Sequence, residues 1–85
     1  MASSSKSRLY EICVANHWDP PLFECSENDG QGHRKLFTSK VTVELQLKDS
    51  TKILECRGAP QPRKKSAEQH AAEGALWYLR HLGYL

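Results

Sequence analysis

A chain of 85 residues, 39% hydrophobic and 26% charged, suits one small folded domain and excludes both a second core and a disordered segment of this length. No apolar run approaches the ~20 residues of a membrane span and no secretory apolar segment is present, so no membrane association is expected. The net charge of +2 is too small to specify nucleic-acid binding by itself, which makes the distribution of charge more informative than its sum.

Residues 1–6 read as a flexible end and residues 7–85 as a single domain. A first helix is expected over about 7–16, because Leu9, Ile12 and Cys13 recur at helical spacing. Ser5 or Ser7 can cap it, and Trp18-Asp19-Pro20-Pro21 should stop it, since proline disfavours helical geometry in the preceding residue. A first strand follows over 22–27, with Phe23 and Cys25 on one face and Glu24 and Ser26 on the other. Asn28-Asp29-Gly30-Gln31-Gly32 is turn chemistry.

The clearest strand covers 36–47. Phe37, Ser39, Val41, Val43, Leu45 and Leu47 alternate with mostly polar neighbours, as in an antiparallel sheet with one solvated side. Lys48-Asp49-Ser50 reads as a hairpin connection into a third strand over 51–57, whose Lys52, Leu54 and Cys56 share a face opposite Ile53 and Glu55. Gly58-Ala59-Pro60-Gln61-Pro62 breaks that strand. A second helix is expected over 63–82, with Ala67, Ala71, Gly74, Ala75, Tyr78, Leu79 and Leu82 on one face and Gly83 as its stop. The predicted class is α+β, ordered α-β-β-β-α, with two helices packed on one face of a three-stranded antiparallel sheet.

Charge segregates along this order. Residues 30–43 and 57–65 hold seven of the 12 basic residues and none of the 10 acidic ones, which suggests one basic face for a polyanion. Lys64 and Lys65 open the second helix, where free backbone N–H groups and the helix dipole already attract anions. A solvated first turn and a phosphate grip both fit that pattern. Cys13, Cys25 and Cys56 are odd in number and widely spaced, so they read as reduced core residues of an intracellular protein. A zinc site built from them with His33 lacks ligand spacing, and neither a metal nor a cofactor is expected. With no carboxylate pair and no nucleophile–base constellation on a credible scaffold, the chain is not expected to be an enzyme.

Three motifs in this order resemble the double-stranded RNA-binding domain over nearly the whole chain. Leu9-Tyr10-Glu11-Ile12-Cys13 with Trp18, Pro20-Pro21 and Phe23 is similar to that family's first helix and its approach to the first strand. Gly30-Gln31-Gly32-His33 before Phe37 is similar to its first loop between strands, and Lys64-Lys65-Ser66-Ala67 with Ala71-Ala72 and Leu76 to its second-helix signature. In detail the chain looks most like a C-terminal domain of plant Dicer-like ribonuclease III enzymes. The resemblance implies sequence-independent, shape-selective binding of double-stranded RNA, as an accessory domain of an RNA-silencing ribonuclease. Glu11 would accept from a ribose 2′-OH in one minor groove, and the His33 loop, with Arg34, would enter the next. Arg63, Lys64 and Lys65 would hold the phosphates between them. Trp18 and Phe23 are expected to pack rather than to stack on bases.

The chain departs from the family pattern at Glu68, Val14, Gln31 and the proline-bearing approach 58–63. Glu68 sets an acid where a third lysine is usual and could pair with Lys64, while Arg57 and Arg63 would restore charge. These departures predict weaker, steeply salt-dependent binding. The rival reading is a protein–protein module that recruits a double-stranded-RNA-binding partner through an open edge of the third strand near Ile53. Arg63-Lys64-Lys65 also suggests a nuclear location.

Overall fold

In the computed structural model, which describes residues 4–29 and 35–85, the first helix, α1, spans Ser5–Ala15. Its cap is Ser4 rather than Ser5 or Ser7: the Ser4 hydroxyl oxygen accepts from the Ser7 N–H at 3.1 Å. The early start has a tertiary cause. Lys6 donates its backbone N–H to Gln69 Oε1 at 3.1 Å and its ammonium to Glu68 Oε2 at 3.3 Å, both on the second helix. The end of α1 also differs from expectation. His17 takes a left-handed φ of 60°, and the N–H groups of His17 and Trp18 donate back to Val14 and Cys13 at 3.1 and 2.8 Å. This left-handed cap closes the helix before the prolines are reached.

Strands β1 (Leu22–Asp29), β2 (Lys35–Gln46) and β3 (Thr51–Arg57) form one antiparallel sheet in the order β1-β2-β3. β1 runs two residues further than its pattern indicates, and β2 sits one residue earlier. Leu47 already belongs to the turn, donating its N–H to Ser50 O at 2.8 Å. The alternation of β2 sets its faces as expected: Ser39, Val41, Val43 and Leu45 are buried, with Phe23, Leu54 and Cys56 packed against the same core. Lys52, the one charge expected on that side of β3, is exposed near the strand end.

Helix α2 (Lys64–His81) lies on the inner face of the sheet, with Arg63 and Leu82 as its caps. Its buried stripe is Ala67, Ala71, Ala72, Ala75, Leu76 and Leu79. Tyr78 and Leu82, expected on that stripe, are 48% and 60% exposed. The reason is that α2 buries two sides, one on the sheet and one on α1, which turns the stripe toward Ala72 and Leu76. Gly83, at φ 92°, stops the helix as expected, and Tyr84 N–H closes the cap on Leu79 O at 2.9 Å. Trp18 packs edge-on to Tyr84 at 4.9 Å, and Phe23 stacks beside Tyr10 at 6.3 Å. Both aromatics do pack, as the sequence suggested.

Small residues set how closely α2 approaches the sheet. A Cβ built on Gly74 would overlap Cys56 Sγ, so with Cys56 opposite, the absence of a side chain at Gly74 lets the helix lie this near β3. Gly74→Ala is expected to destabilise the fold by about 1–2 kcal/mol, because overpacking outweighs the gain in helix propensity. Cys56→Ala in the same chain should restore most of that loss in urea denaturation, since it removes the overlapping sulfur.

All three cysteines are free thiols. Burial pushes the Cys13 and Cys56 thiols above their ordinary range. The unfolded chain therefore ionises first as pH rises. The stability these thiols contribute is complete below about pH 8.5 and is lost as pH climbs toward their folded values. Urea midpoints should fall across that alkaline window, and the Cys13→Ala, Cys56→Ala double variant should flatten the fall.

Candidate nucleic-acid interface

Lys64 and Lys65 are the first two residues of α2, both exposed, and no acidic residue occupies that turn. Arg63 caps the helix through its backbone alone: its side chain makes no capping bond, and its carbonyl accepts from Ala67 N–H at 3.0 Å. The backbone N–H groups ahead of Ala67 thus lie beyond the first helical hydrogen bond, beside three cationic side chains. Amide dipoles and ammonium charges point the same way, which is what a phosphate requires.

The approach to this turn is fixed by the sheet. Gly58 donates its N–H to Ser39 O at 3.0 Å, and Ala59 donates to His70 Nδ1 at 3.1 Å. Gln61 and Phe37 exchange both backbone hydrogen bonds, at 2.7 and 2.8 Å, in an isolated antiparallel bridge. The segment ends β3 at Arg57, as expected, and then bridges to β2 through Gln61. Lys64 is therefore held only three residues from a point tied to the sheet.

Glu68 is not the partner of Lys64. It pairs with Lys6 of α1 at 3.3 Å and is the more buried member of that pair. Since a Glu–Lys pair four residues apart on one helix contributes only about 0.2–0.5 kcal/mol, a second contact from another helix is enough to redirect it. Among the described residues Lys64, Lys65 and Arg63 have no ion pair. The acid that was expected to weaken the grip is engaged elsewhere.

Glu11 is exposed on α1 with no ion pair among the described residues. The Lys6 contacts place the start of α1 against the second turn of α2, and Glu11 stands about 7 Å further along α1. The structure thus sets Glu11 and the α2 lysines on adjacent helices. Arg57, by contrast, is opposite Lys40 on the outer sheet face, where it lines a hollow with Glu24, Ser26 and Thr38. The regular alternation of β3 turns it away from the helices, so it does not reinforce the lysine turn. His33 and Arg34, with Gln31, lie outside the described residues. Among the described residues no cluster of three His, Cys, Asp or Glu could hold a metal ion.

Residues 3–80 match a family model described as the double strand RNA binding domain from DEAD END PROTEIN 1. The chain is 51% identical over 79 residues to Ribonuclease 3-like protein 1 of Arabidopsis thaliana, covering 93% of this chain and 40% of that protein. It is 44% identical over 82 residues to Endoribonuclease Dicer homolog 4 of Oryza sativa subsp. japonica, covering 96% of this chain and 5% of that protein. It therefore spans less than half the length of these curated relatives. Among solved structures, the second dsRBD of HYL1 superposes with a TM-score of 0.63 at 25% identity, over 89% of this chain and 97% of that one.

Proposed function

Because this chain belongs to the double-stranded RNA-binding domain family, we propose that it binds duplex RNA by shape and serves as an accessory domain of a larger ribonuclease III-type, RNA-processing enzyme. The observation that carries the reading is the first turn of α2: Arg63, Lys64 and Lys65 stand at helical N–H groups with no side-chain cap, and the next acid along the helix, Glu68, is paired with Lys6. In A-form RNA the major groove is too narrow for side chains to read, so contact falls on phosphates and on the 2′-hydroxyls of the wide minor groove. Lys64 and Lys65 would span the phosphates. Glu11 would accept from a ribose 2′-OH, and His33 and Arg34 would serve the second minor groove. Such a footprint covers about 16 base pairs.

Titration with a duplex RNA of at least that length, the matching DNA duplex and the single strand tests the reading. Duplex RNA should bind tightest, and affinity should fall steeply between about 50 and 200 mM salt. Equal affinity for all three nucleic acids would overturn shape selection. A second reading, a module that recruits a protein partner, draws on Ile53, which is 56% exposed on the outer face of the edge strand β3. Absence of any RNA binding at low salt would favour it. The exposed Arg63-Lys64-Lys65 run also supports action in the nucleus, which a reporter fusion with and without those three charges would test.

A further inference from the structure

The outer side of the α1–α2 pair carries a second feature that the lysine turn does not use. Arg8 of α1 and Glu73, Leu76, Trp77 and Arg80 of α2 line a hollow with Leu85, of about 180 Å³. Trp77 is 57% exposed and Leu85 45%, although both are residues a small domain normally covers. The indole is held in place: its ring lies 3.9 Å from that of His81, whose Nδ1 is 2.9 Å from Trp77 O, and it meets Tyr78 edge-on at 5.3 Å. None of the three charged residues has an ion pair among the described residues.

We propose that this groove docks a short acidic peptide segment of a partner protein, with one apolar anchor side chain seated against Trp77, Leu76 and Leu85 and flanking carboxylates on Arg8 and Arg80. Charge complementarity chooses the occupant. Two guanidinium groups, one from each helix, frame an apolar floor, and planar guanidinium matches carboxylate in a bidentate way. Ordered tryptophan and arginine are also the side chains that most often dominate interface energies. At about 180 Å³ the hollow is below the usual 300 Å³ or more of a small-molecule site, yet it admits one large side chain. RNA fits less well. Trp77 stands about 20 Å along α2 from Lys64, and the apolar floor of Leu76, Trp77 and Leu85 gives a phosphate track nothing to bind.

The test is a titration of the protein with labelled short peptides that carry a central Leu or Phe flanked by Glu and Asp. The same peptides with Lys for the acids, and duplex RNA as competitor, complete it. The acidic peptides should bind saturably. Trp77→Ala, Arg80→Glu and Arg8→Glu should each weaken them by about tenfold or more, while melting temperature holds in all three and duplex-RNA affinity stays unchanged in Trp77→Ala. Arg8→Glu separates docking from any effect on α2, because it lies on the other helix. Equal binding of the Lys peptides, no saturation by the acidic ones, or unchanged affinity in the variants would overturn the proposal. Displacement of the peptide by duplex RNA would also overturn it and assign the groove to nucleic acid.

Discussion

Replacing Lys64 and Lys65 together by alanine should lower affinity for duplex RNA by about 2–4 kcal/mol, roughly thirty- to thousandfold in Kd. Both side chains are exposed and unpaired among the described residues, so their removal takes nothing from the core and the melting temperature should hold. Each is read as one phosphate contact, so the slope of log affinity against log salt should become shallower by about 2. The uncapped N–H groups of α2 remain in the variant, and residual binding is therefore expected. Fluorescence anisotropy at several salt concentrations measures both quantities. An unchanged slope would show that the lysines do not touch phosphates, whatever the change in affinity.

Gly58→Ala should destabilise the domain by about 3 kcal/mol and weaken RNA binding at the same time. A Cβ on Gly58 would stand 2.8 Å from Ala71 N and 3.1 Å from His70 Cβ. Ala71 N is a backbone atom in the middle of α2 and cannot rotate aside. Either the helix lifts from the sheet, or the loop gives up its bonds from Gly58 to Ser39 and from Ala59 to His70. Overpacking of this kind costs about 1–3 kcal/mol and each lost hydrogen bond about 1 kcal/mol. In both cases the lysine turn shifts relative to α1, so Lys64 and Lys65 lose register with Glu11 although none of them has been altered. Urea denaturation gives the stability and anisotropy the affinity. A loss of stability below about 1 kcal/mol would mean that the loop adjusts freely and does not set the position of α2.

The parts of this structure that were legible beforehand depend on residues close together in the chain. The alternation of β2 from Phe37 to Leu45, the alanine spacing of α2 and Gly83 as its stop follow from backbone periodicity and local sterics. The position of Lys64 and Lys65 at a helix start is likewise local. The structure departs from the local pattern where a distant segment competes with a local preference. Glu68 has Lys64 one turn away but takes Lys6, 62 residues off in sequence. That same contact draws the start of α1 back to Ser5. Tyr78 and Leu82 fell off the buried stripe because α2 answers to two neighbours rather than one.

Element order, the face each strand buries and the cationic turn all follow from the local pattern of residues, because a period of two or of 3.6 residues is a property of the backbone. How available that turn is depends on contacts between distant segments. The pairing of Glu68 with Lys6, the tie of Gln61 to Phe37 and the turning of Arg57 to the outer face join segments far apart in the chain. Such contacts are chosen by which surfaces meet in the fold, and no local pattern encodes them. They leave Lys64 and Lys65 unpaired among the described residues, on a helix start held to the sheet, with the acid at position 68 paired to Lys6 instead.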